Sequence, residues 1–317
     1  MSRKSARELI FKMLFAIDVG GNTIDEASQI LEPQIIGLLP LFDKFIMIGD
    51  HNQLATIVLQ EEEKSRINET QLQEIGITDC RESFFERLLR RCKSQGWTHS
   101  FTQLTHQGRM HSEIAAFPTT YFYSENLFPA LDWQTGEWRL SNSNGNLYDK
   151  YIATKITILF STERKEINNI SNKINQSEAE IIAELIESIQ RVYNDNNITY
   201  DSSKIGIIAP YRNQIALIRH KLSEARIDDY ENIMIDTVER FQGSQRDIII
   251  VSFCINQPGQ FRYLCNLNYD GTVDRKLNVA LTRARQQLFL VGNAQLLLKH
   301  PIYKSLVNFY SYKTVVL

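Results

Sequence analysis

The sequence predicts an α/β protein with mainly parallel sheets. Short apolar runs alternate along the chain with longer segments of helical periodicity, which is the order expected of strand–helix–strand units. The length of 317 residues suggests two domains, each long enough to bury a core of its own. Hydrophobic residues make up 43% of the chain and charged residues 23%, a composition typical of globular proteins.

The elements predicted in the first half of the chain are widely spaced. Residues 44–50, KFIMIGD, predict a buried strand that breaks at its glycine, and residues 81–93 predict a helix with one apolar face. Residues 155–161, KITILFS, predict a second buried strand. The stretch 129–150 is polar and rich in turn residues, which predicts a surface excursion. Two aromatic residues in it either stack on nucleic-acid bases or pack within a hairpin: Trp133 and Trp138.

The second half of the chain alternates regularly between the two kinds of element. Ser177 and Glu180 have the spacing of a capping box, which predicts that a helix begins there and continues through an apolar stripe. The elements predicted after that helix are a strand at 204–210, a helix at 212–226, strands at 232–237 and 247–254, a helix at 276–286 and a strand at 287–293.

Charge and cysteine content exclude several classes of protein. The net charge of -2 argues against a strongly basic protein that wraps nucleic acid, but it is compatible with a local basic groove. The four cysteines form no C-x-x-C pair, so neither a zinc site nor a disulfide framework is predicted, and a reduced, cytoplasmic location is expected. The longest apolar run, residues 35–42, is too short to span a bilayer, and no membrane partner is predicted.

Residues 17–29 can be interpreted in two ways. Residues 17–23, IDVGGNT, resemble the phosphate turn of sugar kinases and actin-like ATPases, whereas residues 24–29, IDEASQ, resemble the magnesium-and-water site of a helicase. The kinase interpretation requires a second phosphate-binding glycine turn, but the chain contains no second Gly-Gly pair. The helicase interpretation is favoured because further motifs of that kind follow.

Six motifs occur in order between about residue 24 and residue 294. They are the pair Asp25-Glu26, GDHNQL at 49–54, QGRMH at 107–111, PYRNQ at 210–214, DTVERFQGSQRD at 236–247 and LNVALTRAR at 277–285. Together they closely resemble motifs II to VI of the superfamily 1 helicases, in the clade of the nonsense-mediated-decay helicase and its bacterial relatives. The resemblance implies a P-loop NTPase (RecA-like) helicase fold with parallel sheets and an ATP-dependent nucleic-acid helicase or translocase.

The resemblance assigns a catalytic role to five residues. Asp25 is expected to hold Mg²⁺ through water, and Glu26 to orient and deprotonate the water that attacks ATP. Gln53 is expected to sense the γ-phosphate. Arg109 and Arg283 match the arginine fingers of the family, each of which typically contributes about 10³–10⁵ in rate.

Further positions are carried over from the same motifs. Gly243 allows a tight backbone turn, and Gln245 stands where the family more often has glutamate. Thr237 is placed either to contact a nucleic-acid phosphate or to cap a loop. A structural role stays equally open for Arg212 and Arg285. The expected cofactor-binding positions are Asp50, Arg212, Gly243, Gln245 and Arg285, and the expected nucleic-acid positions are Thr237 and His111.

One motif of the family is absent from the chain. The Walker A loop contains a Gly-Lys pair, and no glycine of this sequence is followed by lysine. The resemblance therefore implies a carboxyl-terminal part, with a truncated first RecA-like domain at 1–105 and a complete second one at 106–317. Missing central strands would leave exposed core in the first domain.

Two functional interpretations remain open from the sequence. In the first, a separate chain carries the Walker A half, the isolated chain is inactive, and the assembly uses ATP and Mg²⁺ to act on single-stranded DNA or RNA. In the second, the chain is a catalytically inactive helicase-derived fragment, or a module that binds nucleic acid or another partner.

Overall fold

The protein divides into two compact units, Met1–Leu104 and Thr105–Leu317. The computed structural model describes residues 27–35, 37, 46–56, 58, 61–141, 145–162, 173–310 and 312–315. Short 3₁₀ turns join the longer elements in both units. The helices of the first unit are α1 (Glu32–Ile35), α2 (Glu62–Ser65), α3 (Thr70–Glu74) and α4 (Phe84–Ser94).

Helix α4 organises the described part of the first unit. It was predicted at 81–93, and the side chain of Ser83 caps its first turn by accepting a hydrogen bond of 3.1 Å from the amide of Glu86. Arg87 on α4 and Glu32 on α1 are both buried and form a bidentate ion pair, with Nε–Oε2 and Nη2–Oε1 distances of 2.6 Å. This pair ties the two helices together.

The predicted strand at 44–50 is wrong for the residues that the structure describes. Residues 46–50 form no strand, and Ile46 and Ile48 are 81% and 75% exposed. An isolated strand leaves its backbone groups unpaired, and no other strand occurs among the described residues of this unit.

The second unit contains a six-stranded sheet in which every strand is parallel to its neighbours. The order across the sheet is β5–β4–β6–β7–β3–β8, and a separate parallel pair is formed by β1 and β2. The strands are β1 (His106–Gln107), β2 (Phe128–Pro129), β3 (Thr157–Thr162), β4 (Ile205–Ile208), β5 (Met234–Asp236), β6 (Arg246–Ser252), β7 (Ala284–Gly292) and β8 (Tyr312–Val315).

The helices of the second unit connect these strands and cover the sheet. Strands β3 and β4 are buried along their whole length, and β6 and β7 are buried except near their first residues, as expected of parallel strands between helical layers. The helices are α5 (Ser112–Phe122), α6 (Leu147–Thr154), α7 (Gln176–Asp195), α8 (Arg212–Glu224), α9 (Val238–Phe241), α10 (Phe261–Leu264), α11 (Arg275–Thr282), α12 (Ala294–Leu297) and α13 (Pro301–Phe309). None of the described helices is both long and apolar enough to cross a membrane.

Helix α7 confirms the predicted apolar stripe but corrects the predicted cap. All five stripe residues are fully buried in the main core: Ile181, Ile182, Leu185, Ile186 and Ile189. The helix begins at Gln176, and its cap is Asn175, whose side chain accepts a hydrogen bond of 2.9 Å from the amide of Glu178. Ser177 lies inside the first turn, because an asparagine two residues earlier provides the same acceptor.

Two further predictions are corrected by long-range pairing. The helix predicted at 276–286 ends at Thr282, since Ala284 already pairs with Arg246 at the start of β6. The excursion predicted at 129–150 includes the start of α6, where Tyr148 and Asp149 are 2% and 1% exposed. In both places the pattern of the local sequence is overridden by packing against distant parts of the chain.

The two tryptophans of this stretch do not pack within a hairpin, as one of the two predictions had it. Trp133 lies in a 3₁₀ turn, Asp132–Thr135, and Trp138 donates a hydrogen bond of 2.9 Å from Nε1 to the carbonyl of Ile152. The neighbouring strand β2 is parallel to β1, so no hairpin forms among the described residues here.

Candidate functional site

The motif residues of the second unit lie mainly where strands β6 and β7 begin. Arg246 and Ala284 are register partners, so the residues that precede them in the chain come together at the amino edge of the sheet. The amide of Arg246 donates a 3.0 Å hydrogen bond to the carbonyl of Arg283, and Nη1 of Arg283 donates to the carbonyl of Ser244 at 3.4 Å. We call Arg109, Arg283, Arg285 and residues 243–245 the amino-edge cluster.

Gly243 makes the turn into β6 possible. Its φ of +76° lies in the left-handed region, which glycine occupies without the steric cost that a Cβ atom brings. The tight turn predicted from sequence is therefore present. The turn brings Ser244 against Arg283 and leaves Gln245 exposed at the edge of the sheet.

Arg283 is buried at the end of α11. Its side chain is 2% exposed, and the guanidinium donates to the carbonyl of Val279 at 3.2 Å and to Oγ1 of Thr282 at 3.3 Å. The helix C-terminus favours a cation at this place. Because the group is held against these oxygens, contact with a phosphate requires the side chain to leave them.

Arg109 converges on the same helix end. Its Nη1 donates a 3.3 Å hydrogen bond to the carbonyl of Thr282, the residue before Arg283. The turn that carries it is held by the side chain of Gln107, whose Oε1 accepts from the amides of Arg109 at 2.9 Å and Met110 at 2.8 Å. The structure thus brings together the two arginines that the sequence predicted as fingers, although Arg109 alone is partly accessible.

Arg285 has a bracing role at the start of β7. Its Nη1 lies 3.0 Å from Oδ1 of Asp247, and its Cζ lies 5.4 Å from the centroid of the Trp133 ring. The ion pair and the cation–π contact hold the guanidinium beside β6 and the 3₁₀ turn. These contacts agree with the bracing role left open for Arg285, and its role at the nucleotide stays a prediction.

His111, which is expected to contact nucleic acid, makes hydrogen bonds within the chain. The side chain is 7% exposed, and its Nδ1 accepts a 3.2 Å hydrogen bond from the amide of Glu113 at the start of α5. Its Nε2 donates to the carbonyl of Gly136 at 2.8 Å. Both ring nitrogens are therefore engaged within the chain, and the contact with nucleic acid stays a prediction.

Arg212 and Thr237 lie at the opposite, carboxyl edge of the sheet. Thr237 follows β5 and Arg212 begins α8 after β4, and the last residue of β4, Ile208, pairs with Val251 of β6. Val251 lies five positions after Arg246 in β6, which corresponds to roughly 16 Å along an extended strand. Arg212 was expected to bind the nucleotide, but it does not lie with Arg109 and Arg283.

Thr237 belongs to a small polar network at this edge. It precedes α9 but makes no side-chain capping hydrogen bond, and its hydroxyl contacts the carboxylate of Glu239. Lys276 Nζ lies 3.0 Å from Oε1 of Glu239. Burial raises the pKa of Glu239, but hydrogen bonds and the charge of Lys276 hold it below its ordinary value. The glutamate is therefore ionised at neutral pH.

The motif at 49–54 forms a turn in the first unit. Gln53 Nε2 donates to Oδ2 of Asp50 at 3.0 Å, and Asp50 Oδ1 accepts from the amide of Asn52 at 2.9 Å. A Cβ atom on Gly49 would lie 2.9 Å from the amide nitrogen of Ser28, so glycine is needed for this close approach. The turn therefore lies beside the chain that follows Glu26 in the sequence.

Asp25 and Glu26 themselves lie outside the described residues, and their expected roles stay predictions. Among the residues that are described, no group of three or more histidine, cysteine, aspartate or glutamate side chains could hold a metal ion.

Comparison with known proteins identifies the family. Residues 80–295, more than half of the chain, match the family model of an AAA domain. The chain belongs to that family. It corresponds to the carboxyl-terminal part of a superfamily 1 helicase of the nonsense-mediated-decay and DNA2 clade, and its parallel sheet is that of a RecA-like P-loop NTPase.

The relatives in this family are much longer than the chain. A probable helicase of Dictyostelium discoideum is 32% identical over 92% of this chain and 26% of that protein. Regulator of nonsense transcripts 1 of the same organism is 30% identical over 92% and 20%, and the DNA replication ATP-dependent helicase/nuclease DNA2 of Xenopus laevis is 30% identical over 85% and 24%. The chain therefore spans about a quarter or less of the length of these relatives.

Among solved structures, the C-terminal domain of a possible DNA helicase from Lactobacillus plantarum is only weakly similar. Its TM-score is 0.36 at 12% identity, over 65% of this chain and 98% of that one.

Sequence reasoning missed one pair of residues at the carboxyl edge. Arg262 and Tyr263 lie in the segment between β6 and α11, and the Cζ atom of Arg262 is 4.5 Å from the centroid of the Tyr263 ring. The signal available in the sequence was an Arg-Tyr pair shortly before the LNVALTRAR motif. It lies outside every motif of the resemblance.

Proposed function

We propose that the chain is the carboxyl-terminal part of an ATP-dependent superfamily 1 helicase or translocase that acts on single-stranded DNA or RNA. The observation that carries this proposal is the convergence of Arg109 and Arg283 on the end of α11. Two guanidinium groups at one point are suited to the charge that develops on a transferred phosphoryl group. The names of relatives such as DNA2 of Xenopus laevis, an ATP-dependent helicase/nuclease, support the same reaction.

In this proposal the amino edge of the sheet binds the nucleotide and the carboxyl edge binds the nucleic acid. The amino-edge cluster faces ATP, with Mg²⁺ held through water by Asp25 and the attacking water activated by Glu26. Thr237, at the carboxyl edge, contacts a phosphate of the strand. Gln53 and Asp50, which are joined by a hydrogen bond, report the state of the γ-phosphate.

ATP hydrolysis requires a phosphate cradle that this chain does not carry. Without a Walker A loop the β- and γ-phosphates lack their backbone donors and their lysine, so the isolated chain is expected to be inactive. We propose that a separate polypeptide, or another part of a longer protein, supplies the loop, and that the assembly works in the cytoplasm.

The proposal is tested by reconstituting the ATPase. The chain is mixed with a polypeptide that carries the Gly-Lys-Thr loop, encoded immediately upstream, and ATP hydrolysis is measured with and without single-stranded DNA or RNA. We expect stimulated hydrolysis only in the mixture, and a loss of about 10³-fold or more in Arg109→Ala and in Arg283→Ala. Arg139→Ala, which changes an exposed arginine, is the matched control.

Two results would contradict the proposal: a mixture without stimulated hydrolysis, or arginine variants that turn over ATP as fast as the control. Because Arg283 is buried, its variant is also compared with the wild-type chain by thermal unfolding. The half-buried Arg109 keeps the test decisive if Arg283→Ala fails to fold.

A second candidate function is a catalytically inactive fragment that binds nucleic acid or another partner. The exposure of Ile46 and Ile48 and the absence of a Gly-Lys pair favour it. ATP turnover by this chain alone, abolished in Glu26→Gln, would contradict this second candidate.

A further inference from the structure

The segment between β6 and α11 presents an exposed aromatic ring at the carboxyl edge of the sheet. Helix α10 is anchored by Phe261 and Leu264, which are 8% and 9% exposed. Tyr263 between them is 53% exposed, and the guanidinium of Arg262 lies over its ring. The helix is therefore fixed to the core while the tyrosine remains accessible.

A continuous set of contacts connects Tyr263 with Thr237. The carbonyl of Tyr263 accepts a 3.2 Å hydrogen bond from Lys276 Nζ, and the same ammonium group pairs with Glu239 at 3.0 Å. Glu239 in turn contacts the hydroxyl of Thr237. The position of the ring relative to Thr237 is thus set by charged groups that hold α9, α10 and α11 together.

The same segment also reaches the turn after β4. Gln260, which precedes α10, donates from Nε2 to the hydroxyl oxygen of Tyr211 at 3.4 Å, and Tyr211 is the residue before the helix that begins with Arg212. The segment that carries Tyr263 therefore contacts the turn after β4 directly and is linked through Lys276 to Glu239, in the helix that follows β5. Arg212, Arg240 and Arg262 are exposed in these elements, which favours an anionic occupant.

We propose that Tyr263 stacks on a base of the single strand whose phosphate Thr237 contacts. This inference rests on the proposed function and adds to it the residue that holds a base. An exposed tyrosine beside arginines suits a nucleic acid, because a base has an apolar face while its backbone is anionic. The contact of Arg262 with the ring restricts the orientation of both side chains.

The test measures binding by the full 317-residue chain. Fluorescence anisotropy follows short labelled oligo(dT) and oligo(U) at low salt, with wild type, Tyr263→Ala, Tyr263→Phe and the control Tyr312→Ala. Tyr312 is 49% exposed on β8, at the side of the sheet farthest from β5. We expect Tyr263→Ala to bind about 5- to 100-fold more weakly, and the other two variants to bind like wild type.

An abasic strand separates stacking from a general effect on structure. It retains the phosphates, so wild type and Tyr263→Ala are expected to bind it equally, and the salt dependence of binding is expected to be the same for both. An equal loss of affinity of Tyr263→Ala for normal and abasic strands would show a structural role and overturn the proposal.

The failure of this inference differs from the failure of the proposed function. If the wild-type chain binds neither DNA nor RNA strands, the stacking inference is wrong, while the stimulated ATPase of the mixture still decides the proposed function. If wild type binds and Tyr263→Ala binds as tightly, only the stacking role is wrong.

Discussion

Three arginines of the amino-edge cluster have the same chemistry and three different environments. Arg283 is buried against carbonyl oxygens, Arg109 reaches the end of α11 from a partly exposed turn, and Arg285 is paired with Asp247. A guanidinium group stays charged in each case, so the environment decides what it can do. Arg109 is accessible to a phosphate as it stands, Arg285 braces the sheet, and Arg283 must first change its conformation.

A buried ion pair allows a prediction about pH at the same scale. Asp149 is 1% exposed and accepts hydrogen bonds of 2.9 Å from Nε and Nη2 of Arg191. Burial raises the pKa of this carboxyl, but Arg191 and Ser188 hold it below the ordinary value of 3.8. Stability from the pair is therefore present above about pH 4 and is lost as the pH falls through the lowered pKa.

Arg191→Met is expected to lower the free energy of unfolding at pH 7 by about 1–3 kcal/mol, because it leaves a buried carboxylate without its partner. Urea unfolding at pH 7 and at pH 3 measures the difference, which should shrink at the lower pH as Asp149 is protonated. Lys304→Met, at an exposed position on α13, is the control. An equal loss of stability at both pH values would show that the charge of Asp149 is not involved.

At the scale of an element, the packing of α9 on strand β4 requires that Gly206 has no side chain. A Cβ atom on Gly206 would lie 2.6 Å from Cε1 of Phe241 and 2.8 Å from Cδ1 of Ile249. Glycine inside a strand usually weakens it, but here it allows α9 to pack closely on the sheet. The same helix carries Glu239, so this contact also positions the polar network around Thr237.

Gly206→Ala is expected to lower the free energy of unfolding by about 1–3 kcal/mol through overpacking of the core. Gly259→Ala is a matched control, since a Cβ atom there would meet no heavy atom within 4 Å. Urea unfolding of both variants checks the prediction. If the two substitutions had the same effect, close packing of α9 on β4 would not be the cause.

At the scale of the whole molecule, the main hydrophobic core lies entirely in the second unit. Its buried members extend from Tyr148 to Val315 and come from all six strands of the sheet, in which β6 and β7 are the two middle strands, and from helices α6, α7 and α8. A single domain of this size buries enough apolar surface to fold without a neighbour.

We therefore expect residues 105–317, produced alone, to unfold in one cooperative transition. The midpoint in urea, followed by circular dichroism and tyrosine or tryptophan fluorescence, should match that of the main transition of the full chain. Non-coincident transitions by the two probes, or a gradual loss of signal, would mean that the second unit depends on residues before Thr105.

The sequence alone predicted strands β3 to β7 and helices α7, α8 and α11 in their order along the chain, the buried stripe of α7 and the tight turn at Gly243. These elements follow from periodicity along short stretches of chain, whereas the family was indicated by the resemblance of the motifs. The tertiary structure decided that β7 begins at Ala284, that Asp149 and His111 are buried, that residues 46–50 form no strand, and that Arg212 lies apart from Arg283. These features depend on which distant segments pair and pack together, and the local sequence pattern does not specify those segments.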